Sequence, residues 1–400
     1  MFALLSAAAT VLVVGTAARF RGRFYATFAA VLLTIHSLVA SAMAHHFSAI
    51  LPLYGYFHVV VYLHFAGLVF PNLRPLWYRL LISSPGSVCA AATFLAWPWA
   101  IASAFGLGEV TFPVPYVVAI LGLFGSTLLR RKEVVRLWLD GAPLAQLGRA
   151  KSAPLPEGTR PLRIVQITDP HLGTFMTEAA LRRISEDAVA ADPDLVLLTG
   201  DFLTMESHRA LEVMTRAFAP LAALKGRVFA CMGNHDHEAP DTVLRSLLNV
   251  GATMLIDEAR TVSTRWGQLQ IVGLDFHFRE RREKIQQALR LNPRKEGLPR
   301  LVMLHDPGAF VHIPDGDADL VFSGHTHGGQ LGLVNLGLPG TFVSLFTKIP
   351  DHGFWGLGKN RLYVHRGTGH YGFPIRVGVP PEESVLEVGF AAAPASATSG

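Results

Sequence analysis

The first 129 residues of the chain carry very little charge. The charged residues of this stretch are Arg19, Arg21, Arg23, Arg74, Arg79 and Glu109. Over the whole chain 16% of the residues are charged, below the roughly 25% that is usual for soluble proteins. The deficit is concentrated in the N-terminal third, which argues against an ordinary soluble domain there.

Cysteine is scarce, and no pattern typical of nucleic-acid binding is present. Cys89 lies in an apolar stretch and Cys231 lies directly before a polar motif, so we expect no disulfide and infer no oxidising compartment. The formal net charge is +5, yet no run of Lys or Arg with interleaved aromatic residues marks a binding face. We therefore do not expect nucleic acid as a partner.

Five apolar segments are long enough to span a bilayer, and they lie near 2–18, 24–44, 51–70, 85–105 and 110–129. The first has no basic residue before its apolar core, so we expect a retained span rather than a cleaved signal peptide. Basic connections follow the first, third and fifth segments, and the other two connections contain no Lys or Arg. The positive-inside rule then places the chain after residue 130 in the cytoplasm, an orientation that the loss of one span would reverse.

Several histidines lie in this apolar part of the chain: His36, His45, His46, His58 and His64. Ligation of haem or of a metal is one interpretation of histidines inside a membrane. We favour the alternative, in which His45 and His46 lie at the membrane interface and the others bond to neighbouring helices.

After residue 160, five apolar runs typical of buried strands each end in polar residues, and helical stretches follow the first three of them. The runs are 164–167, 195–198, 228–232, 301–304 and 320–322. The residues that follow them are Asp169 and His171, then Asp201, then Asn234, His235 and Asp236, then His305, and finally His325 and His327. Because ligand sites of α/β sheets form beyond the carboxyl ends of the strands, we expect these side chains to converge.

Carboxylates, one amide and several imidazoles suit ions such as Mn, Fe, Zn or Co better than calcium, and the lack of thiolates argues against a structural zinc site. Two such ions bridged by a carboxylate and a hydroxide are the usual arrangement for displacement at phosphorus. The charge of two divalent ions exceeds that of two aspartates and a hydroxide, so the site stays positive and attracts phosphate. The pattern therefore predicts metal-assisted hydrolysis of a phosphate ester.

The ordered motifs Asp-x-His, Gly-Asp, Gly-Asn-His-Asp, His and Gly-His-x-His resemble the signature of the calcineurin-like metallophosphoesterase superfamily, over residues 163–390. The Gly-Gly-Gln that follows the last histidine, and the blocks 366–369, 374–376 and 380–382, resemble its membrane-associated bacterial branch. The resemblance implies a four-layer α/β/β/α sandwich with a binuclear metal centre. The predicted domains are a transmembrane helical domain over 1–130, a juxtamembrane connector over 131–162, the metallophosphoesterase domain over 163–390 and a disordered tail over 391–400.

The resemblance also implies a role for each polar residue of the motifs. The metal ligands would be Asp169, His171 and His327 for one ion, Asn234, His305 and His325 for the other, and Asp201 as the bridge. His235 would contact the phosphate and protonate the leaving oxygen, and Asp236 would orient His235. Protein phosphatases of the superfamily continue Gly-Asp with Asp and Arg-Gly, whereas this chain reads Gly-Asp-Phe-Leu-Thr at 200–204, which argues against a phosphoprotein substrate.

The sequence favours a multi-pass phosphoesterase of the bacterial inner membrane that cleaves a phosphodiester or a pyrophosphate. A tether of several helices suggests a substrate that is itself in the membrane, for which UDP-diacylglucosamine pyrophosphatases related to this branch are a precedent. Apolar residues beside the motifs would either receive an acyl chain or pack in the core: Phe175, Met176, Phe202 and Met205. Arg376 would hold a phosphate or form a structural salt bridge, and the segment Asp275–His277 would be a loop at the rim or a source of a surplus ligand.

Two other functions stay open from the sequence. One is a tethered nuclease or cyclic-nucleotide phosphodiesterase, which the lack of a basic-aromatic groove disfavours. The other is a membrane sensor or transport-associated protein with a non-catalytic phosphoesterase-like domain, which the complete set of expected ligands disfavours. The oligomeric state is not predicted.

Overall fold

The computed structural model describes residues 2–107, 111–370 and 372–391, so all but the first residue of the predicted disordered tail lies outside the described part. The helices are α1 (Phe2–Phe20), α2 (Arg23–Met43), α3 (Leu51–Leu68), α4 (Leu76–Tyr78), α5 (Ser84–Leu95), α6 (Trp97–Ala104), α7 (Val114–Gly122), α8 (Glu178–Ala190), α9 (Leu211–Phe218), α10 (Pro240–Asn249), α11 (Arg281–Leu291) and α12 (Phe342–Phe346). The strands are β1 (Arg131–Leu139), β2 (Leu144–Arg149), β3 (Leu162–Ile167), β4 (Leu195–Leu198), β5 (Val228–Ala230), β6 (Thr253–Met254), β7 (Glu258–Ser263), β8 (Gln268–Gly273), β9 (Arg300–Met303), β10 (Leu320–Ser323), β11 (Gly353–Gly358), β12 (Asn360–Val364) and β13 (Glu382–Phe390).

The N-terminal part is a bundle of apolar helices. Two helical stretches, Phe2–Phe20 and Arg23–Leu68, are long and apolar enough to cross a membrane. A third is added if Leu76–Leu95 and Trp97–Ala104, bent by 52° relative to each other, form one span. The apolar helix Val114–Thr127 is shorter. The expectation of helices suited to a membrane is confirmed, and the number of five spans stays a prediction.

Within Arg23–Leu68 the chain folds back on itself at the 3₁₀ segment Ala44–Ile50. The Tyr25 hydroxyl near the start of α2 donates to the carbonyl of Phe65 near the end of α3, at 2.8 Å. Deeper in the same hairpin a ring nitrogen of His36 lies 3.0 Å from a ring nitrogen of His58. This contact agrees with the interpretation that these histidines bond to neighbouring helices.

The basic connections lie at the end of the bundle that faces the rest of the chain. Arg21 donates to the carbonyl of Met205 at 3.2 Å, and Arg130 donates to the carbonyl of Thr368 at 3.3 Å. At the opposite end, which lacks Lys and Arg, a ring nitrogen of His46 lies 3.0 Å from the Ser103 hydroxyl. Basic residues therefore concentrate at the end of the bundle that contacts the rest of the chain.

The described residues from 131 onward form two packed sheets with helices on their outer faces. The strand orders are β1-β13-β3-β4-β5-β6 and β2-β11-β12-β10-β9-β8-β7. The apolar layer between the sheets includes Ile164, Leu197 and Phe322, while α8, α9 and α10 cover the first sheet and α11 covers the second. The predicted four-layer α/β/β/α sandwich is confirmed.

The stretch predicted to be a connector contributes an edge strand to each sheet. Strand β1 pairs in parallel with β13, and β2 pairs in antiparallel fashion with β11. Strand β1 begins shortly after the last apolar helix, Val114–Thr127. Among the described residues, no long linker therefore separates the helical bundle from the sandwich. The limits of the domains stay a proposal.

The buried strands end within two residues of the predicted positions. Strand β4 is buried along its whole length, as an interior parallel strand with both faces covered should be. Strands β3, β4 and β5 are neighbours in one sheet, and β9 and β10 are neighbours in the other, all pairing in parallel within their sheet. Their carboxyl ends therefore open onto a common edge of the sandwich.

Candidate metal centre

The residues at this edge have unusual backbone conformations. Five of them are non-glycine residues in the left-handed region, with φ angles of 51°, 48°, 57°, 68° and 50° for Asp169, His171, Asp201, His325 and His327. Such residues cost about 1–3 kcal/mol each and persist where the surrounding structure holds them. The sharp turns aim successive side chains into one space, which an extended strand cannot do.

Two clusters of ligand-type atoms result. Asp169, His171 and His327 form one, Asp201, His305 and His325 form the other, and within each cluster the atoms lie within 4.8 Å of one another. Nε2 of His171 lies 3.2 Å from Nε2 of His327. Nε2 of His305 lies 3.2 Å from Asp201 Oδ2. The structure thus brings together six of the seven predicted ligands as two triads.

The Asp201 carboxylate faces both clusters. Its Oδ2 lies 3.8 Å from Nε2 of His171 in the first cluster, besides its contact with His305 in the second. Its Oδ1 accepts from the backbone N–H of His235 at 2.9 Å. The Asp169 carboxylate accepts from the backbone N–H of His325 at 3.1 and 2.9 Å, which ties the two triads together. A carboxylate between two triads has the position that a bridging ligand requires.

Two buried atoms are placed in a way that fits a cation. Among the described residues, Oδ1 of Asn234 is buried without a hydrogen-bond partner, and Nε2 of His305 is buried with the Asp201 carboxylate 3.2 Å away. Buried polar atoms without a partner are rare because each costs about 1–3 kcal/mol. A divalent ion would satisfy both, and Asn234 is the seventh predicted ligand. The donor set therefore fits the predicted metals.

In two of these histidines, the ring nitrogen Nδ1 already makes a hydrogen bond to the backbone. Nδ1 of His305 donates to the carbonyl of Thr199 at 2.7 Å, and Nδ1 of His171 donates to the carbonyl of Leu203 at 3.2 Å. With one proton held on Nδ1 by a carbonyl, each ring in its neutral form offers the lone pair of Nε2 to a metal. These backbone carbonyls supply the orienting contacts that metal-binding histidines need.

The electrostatics of the site favour positive charge at its centre. Burial lowers the pKa of His171 to about 4, so this ring is neutral near neutral pH. Burial also lowers the pKa of His305, but the charges of Asp201 and Asp169 outweigh burial and raise it to about 10. Although burial opposes ionisation of Asp201, His305 and His171 hold its pKa well below the usual range. The Asp201 carboxylate therefore stays charged and attracts cations, whereas burial and the charge of Asp201 raise the pKa of Asp169.

His235 lies at the rim of the centre, and its partner is not the predicted one. Its Nδ1 lies 2.7 Å from Oε1 of Glu238. The Asp236 carboxylate instead accepts from the backbone N–H groups of Asp201, Phe202 and Gly233, at 2.7, 2.8 and 2.8 Å. The expectation that Asp236 orients His235 is corrected, because this buried carboxylate joins two ligand-bearing loops while Glu238 holds the ring.

Arg376 takes neither of the two roles considered for it. Its side chain is buried, and its guanidinium donates to the carbonyls of His327 and Arg366 at 3.0 and 2.8 Å. It also donates to Nδ1 of His327 at 3.0 Å. Because its donors are directed at the protein, Arg376 positions His327 rather than a phosphate. No sequence signal identifies these backbone partners.

The segment Asp275–His277 lies at the rim. Oδ1 of Asp275 pairs with Nε2 of His237 at 3.0 Å, and Nε2 of His277 lies 3.1 Å from Asp257 Oδ2. The ring of Phe276 lies 5.9 Å from that of His325. Both ionisable groups are thus engaged outside the two triads, in agreement with the rim interpretation.

The four apolar residues considered as acyl-chain contacts divide into two pairs. Met176 and Phe202 are buried in the core of the first sheet and its helices. Phe175 and Met205 line a cavity of about 200 Å³ that reaches from His171 to the N-terminal helices. The core interpretation holds for the first pair, and the second pair faces open space beside a ligand.

Comparisons with known proteins agree with this geometry. The sequence profile of the calcineurin-like phosphoesterase family matches residues 162–329. The chain is 29% identical to the phosphodiesterase YaeI of Escherichia coli over 61% of this chain and 88% of that protein. It is 30% identical to YkuE of Bacillus subtilis, an uncharacterised metallophosphoesterase, over 59% of this chain and 82% of that protein. It is 26% identical to the UDP-2,3-diacylglucosamine pyrophosphatase LpxG of Chlamydia trachomatis, over 55% of this chain and 82% of that protein. Taken with the two triads of metal ligands, these matches establish that the chain belongs to the calcineurin-like metallophosphoesterases and is a phosphoester hydrolase.

Proposed function

We propose that this enzyme hydrolyses a phosphodiester or pyrophosphate bond of a lipid-linked substrate at a centre of two divalent ions. The single observation that carries the lipid part of this proposal is the cavity between the N-terminal helices and the metal centre. The relative LpxG, whose name gives a diacylated sugar nucleotide as its substrate, supports the same class of substrate.

The cavity has a polar end and an apolar end. At the sandwich its wall contains His171, Thr174, Thr204 and Glu206. Toward the bundle the wall is mainly apolar, with His64 and Ser87 as polar members. Its apolar side chains come from three helices and three loops: Phe28, Leu32, Phe65, Leu68, Ala90, Phe175, Met205 and Phe373. A substrate with its phosphate at the metal centre would extend its remaining part along the apolar wall. Each CH₂ group buried there would contribute about 0.8 kcal/mol to binding.

The polar residues at the centre have distinct proposed tasks. Asp169, His171 and His327 would hold one ion, Asn234, His305 and His325 the other, and Asp201 would bridge them. Two divalent ions, of which Mn, Fe and Zn suit these ligands, would activate water for attack and neutralise charge on the phosphate. His235 lies at the rim, where it would protonate the leaving oxygen while Glu238 holds its Nδ1.

We also propose that the protein is a multi-pass protein of the bacterial inner membrane with its catalytic domain in the cytoplasm. The segregation of arginines supports this orientation, because Arg21 and Arg130 contact the sandwich directly. Burial raises the pKa of Glu206, and the nearby charges of Arg79 and Arg74 oppose this rise, so the connection that carries these arginines also lies near the sandwich. Cytoplasmic connections carry the excess of basic residues in membrane proteins.

The first test is hydrolysis of bis-p-nitrophenyl phosphate and p-nitrophenyl phosphate by detergent-purified protein supplied with Mn, beside Asp201→Asn. We expect diester cleavage that the substitution abolishes. Preference for the monoester would overturn the proposed reaction.

The lipid part is tested by a matched pair of substitutions on α2. Leu32 lines the cavity, whereas its neighbour Val31 is 54% exposed on the outside of the bundle. Leu32→Trp should reduce turnover of UDP-2,3-diacylglucosamine in mixed micelles several-fold and leave the cleavage of bis-p-nitrophenyl phosphate unchanged. Val31→Trp should change neither. Equal effects of Leu32→Trp on both substrates, or none on the lipid, would overturn the assignment of the cavity to a lipid.

A further inference from the structure

The segment 333–349, which we term the apolar arm, exposes an unusual number of large apolar side chains. It follows the last predicted metal ligand by six positions and contains the helix α12. Its exposed apolar residues are Leu333, Leu336, Leu338, Phe342, Leu345, Phe346 and Ile349, with Leu345 and Phe346 at 76% and 73%. Soluble surfaces rarely expose an apolar patch of this extent without a partner.

The apolar arm is a defined structure and not a loose loop. Thr341 and Ser344 form a reciprocal capping box at the start of α12. The Thr341 hydroxyl also donates to the buried Asp351 carboxylate. The rings of Phe342 and Phe346 lie 4.9 Å apart. The exposed side chains are therefore presented by a fixed backbone.

The base of the apolar arm is continuous with the bundle of apolar helices. Leu331 pairs with Val377, and the N–H of Gly332 donates to the carbonyl of Val377 at 2.9 Å. A Cβ built on Gly122 of α7 would lie 3.1 Å from side-chain atoms of both Ile375 and Val377. The base thus packs against α7 within its apolar length.

The part of α7 beside this contact is itself apolar and exposed. Val117, Ile120 and Leu121 are 49%, 51% and 65% exposed, and Phe124 in the following turn is 62% exposed. The base of the apolar arm adjoins this surface. It contains no Asp or Glu, and its one charged residue is Lys348. A surface of this composition suits the boundary between lipid headgroups and acyl chains.

We infer that the apolar arm lies in the interfacial layer of the bilayer beside α7, with Leu345 and Phe346 among the acyl chains. The inference rests on the membrane location proposed above and goes beyond it, because it immerses part of the catalytic domain itself. Since the N–H of Phe342 donates to the carbonyl of Leu331 at 2.7 Å, the arm is tied to the chain that leaves the last ligand motif. Immersion would hold the metal centre at the membrane surface.

The test uses full-length protein in vesicles of phosphatidylethanolamine and phosphatidylglycerol, with a fluorophore on one introduced cysteine. Both native cysteines are buried, and unsubstituted protein gives the labelling background. The test position is Leu345→Cys. Leu121→Cys on α7 is the lipid-facing reference, and Leu291→Cys, 73% exposed at the end of α11, is the water-facing control. Lipids with a nitroxide near the headgroup serve as quenchers.

Quenching of the label at position 345 should approach that at 121 and exceed that at 291 several-fold. Quenching at 345 equal to that at 291, with 121 quenched, would overturn the inference while the membrane location stands. A label at 345 that is shielded from water yet not quenched would show a second copy or another protein on the arm, and this also overturns it. No quenching at 121 would remove the membrane location and the inference together.

Enzyme turnover tests whether immersion of the apolar arm in the bilayer contributes to catalysis on a membrane-bound substrate. Leu345→Ser combined with Phe346→Ser should lower turnover of vesicle-borne UDP-2,3-diacylglucosamine several-fold and leave turnover of soluble bis-p-nitrophenyl phosphate unchanged. Full turnover of the vesicle-borne substrate by this variant would count against a role of immersion in catalysis at the membrane.

Discussion

Nδ1 of His235 lies 2.7 Å from Oε1 of Glu238, three positions further along the chain. Oε2 of the same carboxylate lies 3.5 Å from Nε2 of His208. Burial lowers the pKa of His235, but the hydrogen bond to Glu238 and the charges of Asp201 and Glu238 together outweigh burial and raise it. Glu238 thus holds the ring of His235, and the raised pKa suits a group that donates a proton to a leaving oxygen.

Glu238→Gln should slow cleavage of a diester with an alkyl leaving group by about tenfold or more, because general acid catalysis contributes 10²–10⁴-fold. Cleavage of bis-p-nitrophenyl phosphate should fall much less, since p-nitrophenolate leaves without a proton. The measurement is kcat on both diesters, with Glu212→Gln as the control because that side chain is 88% exposed. Equal losses on the two substrates would show that Glu238 does not act through proton donation.

Asn234→Ala should reduce the metal content of the purified protein from two ions to about one. Its Oδ1 is buried without a partner among the described residues, as expected of an atom reserved for a cation. Loss of groups that merely orient ligands costs about 10–100-fold in affinity or activity, so loss of a ligand should cost at least as much. Elemental analysis after gel filtration measures the content, and Asn292→Ala, far from the triads in a helix-capping contact, is the control. Two ions in Asn234→Ala would remove Asn234 from the ligand set.

The sequence predicted the site correctly where a residue able to bind metal follows a buried strand. Asp169, Asp201 and His305 each follow an apolar run, and parallel strands bring such ends together without any knowledge of loops. The partner of His235 could not be chosen by adjacency, because the 3₁₀ turn Asp236–Glu238 sends Asp236 inward to backbone N–H groups. A spacing of three residues, which places side chains on one face of a helical turn, was the signal for Glu238.

Other features depend on contacts that no local pattern records. Arg376 holds His327 through carbonyls from separate loops. Phe175 and Met176 are adjacent, yet one lines the cavity and the other packs in the core, since their direction is set by the turn before α8. Helix α11 and the closing strands β11 to β13 also lacked a sequence assignment, because their pattern is weak beside that of the motif-bearing strands.

Asp236→Asn should lower stability more than it alters chemistry. Burial and the charge of Asp201 raise the pKa of this carboxyl to about 7, yet it accepts three backbone N–H groups, and each hydrogen bond to its charged form is worth about 1.5–3 kcal/mol. The amide keeps one acceptor oxygen and turns the other into a donor that faces N–H groups, so we expect a loss of about 3 kcal/mol or more. Thermal unfolding in detergent measures it, and His235→Gln should lose activity with little change in the transition. A fully stable but inactive Asp236→Asn would return Asp236 to a catalytic role.

Glu382 makes stability depend on pH in the acid range. Burial opposes ionisation of this carboxyl, but His365 and Arg366 outweigh burial and lower its pKa to about 2. The carboxylate accepts from the backbone N–H of Arg366 at 3.1 Å and lies 3.3 Å from its Nε. Because the folded pKa lies below the ordinary value of 4.5, the stabilisation is complete above pH 4.5 and is lost as pH falls toward 2.

A shift of this size corresponds to about 2–4 kcal/mol. The stability difference between wild-type protein and Glu382→Gln should therefore shrink progressively between about pH 5 and pH 2. Unfolding midpoints of both proteins across this range give the difference, with Glu258→Gln, on the exposed edge strand β7, as the control for general acid effects. A difference that stays constant with pH would mean that Glu382 is already protonated in the folded protein, and the pair with Arg366 would then contribute through neutral hydrogen bonds alone.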